Sequence, residues 1–328
     1  MTSYVLRRIL YMIPTLFFIS LVSFYIIQLP PGDYLSSMAS AMSAQGESVN
    51  QAQLEALKAR YGFDQPIYVQ YWKWITGILT RGDFGQSFEW NRPVSSLIWA
   101  RLGITMGLSL LSTLFIWAVA FPIGIYSATN KYSVGDYVAT FIGFIGLATP
   151  NFLIALILMY IGFKYFGQSP GGLFSPEYVG APWSLAKLGD LLSHLWVPVV
   201  VIGSAGTAGL IRILRANLLD ELNRPYVTTA RAKGVPEGRL LRKYPLRLAL
   251  NPFVSGIGGL LPGLISGEAI IGIVLNLPTT GQLLLGALQA QDMYLAGSFI
   301  LMVSVLAVVG VLISDLCLAW LDPRIQYR

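Results

Sequence analysis

The chain has 328 residues, of which 55% are hydrophobic and only 12% charged, and its mean hydropathy is +0.62. A soluble domain carries about 25% charged residues, so this surface faces something other than water. One cysteine, Cys317, excludes an internal disulfide, and one histidine, His194, excludes a histidine-based metal cluster. No clustering of carboxylates suggests a metal site either, and the net charge of +6 is better explained by a membrane surface than by nucleic acid.

About 20 predominantly apolar residues cross a bilayer as a helix. Six such runs occur, at residues 9–29, 102–126, 138–163, 195–214, 248–275 and 296–321, which predicts an all-α integral membrane protein with six transmembrane helices. The first run follows Arg7 and Arg8 and precedes Ala39-Ser40-Ala41, an order that imitates a cleavable signal. At about 20 residues it exceeds a signal core of about 7–15, so residues 1–29 are expected to be a retained first span.

Residues 30–101 then form an external segment too long for a plain connector. Asn50 with Gln53 resembles a helix start, Leu54 and Leu57 give an apolar face, and Gly62 is a stop. Tyr68, Tyr71, Trp72 and Trp74 suit the membrane–water boundary. Two readings stay open: a cap over the external helix ends, or part of a docking surface for a soluble partner.

Residues 102–328 are expected to form the core. The fourth run opens at His194, read as an interfacial residue on the external side. The fifth carries Gly259, Gly263 and Gly267 at four-residue spacing, with Pro262 among them. Such spacing allows close helix approach, and an intramembrane proline invites a kink inside a bundle, so both packing and lining of a transport route are open. Glu268 falls near mid-depth of this run and Asp315 lies within the sixth. A carboxylate at the bilayer centre costs at least about 2.5–3.5 kcal/mol and needs a partner, a wet cavity or a proton. Glu268 is the candidate for the substrate path; Asp315, nearer the cytosolic end, is expected to pair with a boundary arginine.

Orientation follows from Lys and Arg near the span ends. With the amino terminus inside, Arg7, Arg8, Lys131, nine residues from Arg212 to Arg247, Arg324 and Arg328 are cytosolic, 14 of the 22 basic residues. Six of the remaining eight lie between Lys58 and Arg101, in a long loop whose charges count little. Both termini are predicted to be cytosolic.

The cytosolic loop 217–247 is the most informative segment. Arg224-Pro225 suits the start of a short helix, residues 226–233 would form it, and Gly234 would end it in a left-handed conformation. Val235-Pro236 then begins a second segment. A short helix held there could dock into a partner's groove, or the loop's charge could simply anchor it to anionic lipid.

Tyr226-Val227-Thr228-Thr229-Ala230-Arg231-Ala232-Lys233-Gly234 resembles the signature of permeases of dipeptide and oligopeptide ATP-binding-cassette importers. The resemblance spans nearly the whole chain: Gly62-Phe63-Asp64-Gln65-Pro66-Ile67 and Gly82-Asp83-Phe84-Gly85-Gln86-Ser87 match the family's external segment, and Leu321-Asp322-Pro323-Arg324-Ile325 its closing motif. It implies a type I importer permease fold in a bacterial inner membrane. It also implies a coupling helix at Arg224 to Gly234 seated on a separate ATPase subunit. The implied partners are a second homologous permease, two ATPases carrying ATP and Mg, and an external binding protein; no cofactor is implied on this chain. ATP closes the ATPases, the coupling helices move with them, and the paired permeases open outward. Two positions depart from the family pattern. The acidic residue of the wider importer signature is replaced by Thr228. The glutamate expected before a Pro-Gly-Leu-Gly turn is replaced by Gly272, and the turn reads Pro278-Thr279-Thr280-Gly281. The implied cargo is a peptide, with opines, oligosaccharides and nickel chelates as the alternatives among relatives.

No GxxxxGK[ST] occurs and no lysine precedes Ser or Thr, so the chain lacks a Walker-type phosphate cradle. Without HExxH or GxSxG, an intramembrane enzyme is disfavoured. An ion-coupled transporter using Glu268 and Asp315 would show inverted repeats, and the two halves share no such similarity.

Overall fold

The computed structural model describes residues 2–28, 65–87, 89–167 and 171–321, with side-chain surroundings described except at 2–5, 26, 27, 166, 257–268 and 319–321. The expected helix start at Asn50, the Ala39-Ser40-Ala41 stretch, residues 62–64 and the closing motif from Asp322 lie outside the described residues. Among the described residues the regular structure is helical apart from a two-stranded ribbon, Gln86–Ser87 (β1) against Arg92–Pro93 (β2). It divides into two compact units, residues 1–103 with 280–308, and residues 104–279 with 309–328.

In the first unit, α1 (Thr2–Gln28) packs against α2 (Ile67–Arg81). Tyr71 and Trp74 are buried there among Phe24, Leu21 and Leu301, and the Tyr71 hydroxyl lies 2.8 Å from Ser20 Oγ. The aromatic cluster expected at the interface is therefore split. Tyr71 and Trp74, one face of α2, hold the helices together, while Tyr68 and Trp72 remain exposed. Gly82 ends α2 in the left-handed region at φ 63°. Gly85, φ 87°, brings its backbone so close to the Tyr294 ring that a Cβ would lie 2.7 Å from it. The buried Asp292 accepts from Ser87 Oγ at 2.6 Å and from the Leu295 N–H at 3.1 Å. It so ties the ribbon to the start of α12 (Met293–Leu321). The stretch 278–295 also contains a helix, α11 (Thr280–Gln289).

In the second unit, α3 (Val94–Thr129, entering from residue 104), α4 (Val134–Ala148), α5 (Asn151–Phe166), α6 (Leu185–Leu222) and α10 (Asn251–Val274) are the long helices. Leu108, Ala155, Val197, Val201 and Ile271 from four of them meet in one buried cluster. Four helices are long and apolar enough to cross a membrane among the described residues: α3, α6, residues 6–25 of α1 and residues 293–318 of α12. The third apolar run is not one straight span. Pro150 has no N–H and pushes Thr149 into extended backbone (φ −90°, ψ 123°), so α4 stops and α5 restarts at 101° to it. Together the pair would make a fifth crossing. Large apolar side chains stay exposed on α4, such as Phe141 at 66% and Ile142 at 62%. Surfaces of that kind are covered by lipid or by another protein.

His194, expected at an interface, is instead buried at 7% exposure inside α6, where Nδ1–H donates to the Asp190 carbonyl at 2.8 Å. Asp315 is half-buried in α12. Beside it, Ser314 Oγ bonds the carbonyls of Val254 and Ser255 at 2.7 and 2.8 Å.

Candidate coupling site

The 38 residues of α6 rise about 57 Å, well beyond the ~30 Å hydrocarbon core. It is thus longer than a single crossing needs, and its carboxyl-terminal turns carry Arg212, Arg215, Asp220 and Glu221. Leu214 and Leu218 are fully buried against Ala128, Ala249 and Phe253, so this end is rigidly based.

The chain then turns at Asn223 into α7 (Pro225–Ala232). Proline suits the first helical position because its missing N–H has no intrahelical partner to lose. The helix lies one residue earlier than its sequence signals suggest. Lys233 closes it, Gly234 takes φ 72°, and two bonds complete a Schellman ending. The Gly234 N–H donates to the Arg231 carbonyl at 2.9 Å, and the Val235 N–H to the Ala230 carbonyl at 3.2 Å.

A second helix, α8 (Glu237–Lys243), folds back on α7, and α9 (Pro245–Ala249) leads on to α10. Val227 and Ala230, three apart on one face of α7, are buried against Leu240, with Tyr226, Val235 and Tyr244 around them. Loop 217–247 is thus a small folded module with its own core. Arg231 forks onto Glu237, Nε to Oε1 at 2.7 Å and Nη2 to Oε2 at 3.2 Å. Glu221, in the last turn of α6, accepts from the Tyr226 hydroxyl at 2.5 Å and lies 3.8 Å from Arg224 Nε. Burial and the Glu221 contact together push the Tyr226 phenol up from its ordinary value, and the Arg231 guanidinium holds the Glu237 carboxyl below its own.

This geometry divides the ten residues singled out from sequence. Arg224, Pro225, Thr228, Thr229, Arg231, Ala232, Lys233 and Gly234 are exposed and form one continuous outer ridge. Tyr226 and Ala230 face inward and hold the ridge in place. Thr228, the departure from the acidic signature, is on the exposed side. Of the candidate path residues, Gly259, Pro262, Gly263, Gly267 and Glu268 all fall within α10, but their side chains lie outside the described residues. Gly272 is buried, and a Cβ there would come 2.6 Å from Thr279 Oγ1. The contact is with a side-chain oxygen, so any side chain at this position would require Thr279 to shift.

Sequence reasoning missed the ion pair that joins α4 to α6. Arg215 in α6 donates to both carboxylate oxygens of Asp136 at 2.8 Å, and Asp136 also accepts the Tyr132 N–H at 2.9 Å. The local half was visible as Ser133-x-x-Asp136, a helix-capping pattern in which Ser133 Oγ accepts the Asp136 N–H at 3.2 Å. Nothing in the sequence points to Arg215, 79 residues away.

Residues 120–327 match the family described as binding-protein-dependent transport system inner membrane component, and residues 1–109 match the N-terminal part of such membrane components. The chain is 38% identical to the oligopeptide transport system permease protein AppB of Bacillus subtilis over 328 residues, all of both chains. Similarity also covers the full length of the glutathione transport system permease protein GsiC of Salmonella typhi, 32% identical over 330 residues. For the dipeptide transport system permease protein DppB of Alkalihalophilus pseudofirmus the figure is 29% over 341 residues, again all of both chains. The chain belongs to the family of binding-protein-dependent transport system inner membrane components. It is a multi-pass permease subunit of an ATP-binding-cassette importer of the bacterial inner membrane.

Proposed function

We propose that this permease forms half of a translocation pathway for oligopeptides or dipeptides, delivered by an external binding protein. It pairs with a second homologous permease, crosses the membrane six times with both termini cytosolic, and is driven by two separate ATPases that hold ATP and Mg. The exposed ridge of α7 is the handle on which an ATPase acts. The observation that carries this reading is the folded α7–α8 module, set on the carboxyl-terminal end of α6 and built around Val227, Ala230 and Leu240. A lipid anchor needs only charge. A handle that transmits force needs a fixed shape, which this core, the glycine ending and the Glu221–Tyr226 bond supply. Residues 259–268 of α10 are the proposed path segment, with Glu268 its ionisable group.

Reconstituted with its partner subunits, the complex is expected to hydrolyse ATP faster when peptide-loaded binding protein is added. Deletion of residues 226–233 should abolish uptake while leaving membrane insertion intact. Undiminished uptake after that deletion, or uptake without any ATPase, would refute the coupling role. Substrate is read separately, from a ligand screen of the cognate binding protein against peptides, opines, oligosaccharides and nickel chelates.

A further inference from the structure

In the first unit a cavity of about 390 Å³ lies between α2 and the β1–β2 ribbon, within the ~300–1,000 Å³ of small-molecule sites. Lys73, Trp74, Gly77 and Arg81 line it from a single face of α2. The chain then reverses. Gly82 ends the helix at φ 63°, and the Asp83 N–H donates to the Gly77 carbonyl at 3.1 Å, which brings Asp83 and Gly85 into the lining. The buried Trp74, 4% exposed, and Tyr294 of α12 supply its aromatic surface.

Charges of both signs line this cavity without neutralising one another. Lys73 and Arg81, about 12 Å apart along α2, are exposed and make no ion pair or side-chain hydrogen bond among the described residues. Asp83 stands two residues beyond Arg81 and pairs with neither cation. Its carboxylate is held by its own loop instead, where Oδ1 accepts the Gly85 N–H at 2.9 Å. Gly85 is in turn seated against the Tyr294 ring. A fixed carboxylate and two cations therefore surround one space with an aromatic lining.

We propose that this cavity binds a short peptide as its zwitterion, a site additional to the path segment of α10 and resting on the reading that the cargo is a peptide. The Asp83 carboxylate takes the α-ammonium group, Arg81 or Lys73 the α-carboxylate, and Trp74 and Tyr294 an apolar side chain. A free dipeptide carries both charges at neutral pH, its amino group titrating at about 7.7–8.0 and its carboxyl at about 3.3–3.7. Extended, its ends stand about 7 Å apart, so it can bridge groups that do not pair with one another. An acidic segment of a soluble partner, or an anionic lipid headgroup, would use the cations and be repelled by Asp83.

The complete importer in nanodiscs, without its binding protein, is irradiated with alanyl-benzoylphenylalanine, and the labelled segments are mapped by mass spectrometry. Label is expected within residues 73–93 or at Tyr294, and unlabelled alanyl-phenylalanine should compete for it. The N-acetylated and C-amidated dipeptides should each compete about threefold less well, the effect of one exposed ion pair. Asp83→Asn, whose amide oxygen can still accept from Gly85, should weaken the free dipeptide about threefold and leave the N-acetylated form unchanged. Lys73→Gln with Arg81→Gln should weaken the free dipeptide and leave the C-amidated form unchanged, a pairing of variant with blocked end that mere loss of structure does not produce. Label confined to other residues, or competition by the N-acetylated form equal to that of the free dipeptide, overturns the proposal; the latter would make the cavity a site for anions. Uptake of the same dipeptide, measured in parallel with binding protein present, tests the cargo separately. Uptake without label at these residues overturns the cavity alone, and label here without uptake overturns the peptide cargo.

Discussion

At Gly234 the backbone takes φ 72° with open space around the missing side chain, so conformation and not crowding selects glycine. A left-handed residue with a Cβ costs about 1–2 kcal/mol. Gly234→Ala is therefore expected to fray the end of α7 and lower uptake, and Gly234→Asn to do so less, because asparagine tolerates this region. Transport rate measured at equal permease abundance checks the order glycine, asparagine, alanine. Gly85 combines both constraints, φ 87° and a Cβ position 2.7 Å from the Tyr294 ring. Gly85→Ala should lower the thermal midpoint of the purified complex. Adding Tyr294→Ala should recover part of the loss, the crowding but not the backbone strain. The Gly82–Ser87 stretch was recognisable in the sequence, but its reasons lay in partners more than 200 residues away, Tyr294 against Gly85 and Asp292 against Ser87.

Elements owe their ends to local chemistry and their neighbours to distant contacts. The α4–α5 break follows from Pro150 acting on Thr149, a local effect hidden inside one continuous apolar run. The packing of α4 on α6 is secured by Asp136 and Arg215, whose carboxylate is 3% exposed. Asp136→Asn removes a twice-bonded charge partner and should cost about 1.5–3 kcal/mol, read as a lower thermal midpoint, whereas Arg215→Lys should retain part of it. The contact between α7 and α8 carries its own pH dependence. Glu237 has its proton affinity lowered by Arg231 in the folded loop. Its contribution is present above the ordinary glutamate range, near 4.3, and is lost as pH falls through the lowered folded value. Amide exchange across residues 235–240 should quicken in that acid window relative to the rest of the chain, and Glu237→Gln should remove the extra acceleration. Both side chains are exposed to solvent, so the effect is confined to the loop.

For the whole molecule, the distribution of Lys and Arg gives a topology that can be measured directly. Because Cys317 is the single native cysteine, a Cys317→Ser background accepts one reporter thiol at a time. In intact spheroplasts a membrane-impermeant maleimide should label Lys73→Cys and spare Thr228→Cys, and lysis should expose the latter. Labelling in the opposite sense would invert the proposed orientation. Residence in a membrane, the approximate positions of the apolar runs and the place of the basic loop were all determined by the sequence itself. Hydrophobicity, charge excess and helix-ending residues act within a few residues of where they stand. The capture of Asp136 by Arg215 and the seating of Gly85 and Ser87 against Tyr294 and Asp292 were decided only by tertiary structure. Each depends on groups brought together by burial of surfaces remote in the chain, and no local periodicity records which surface meets which.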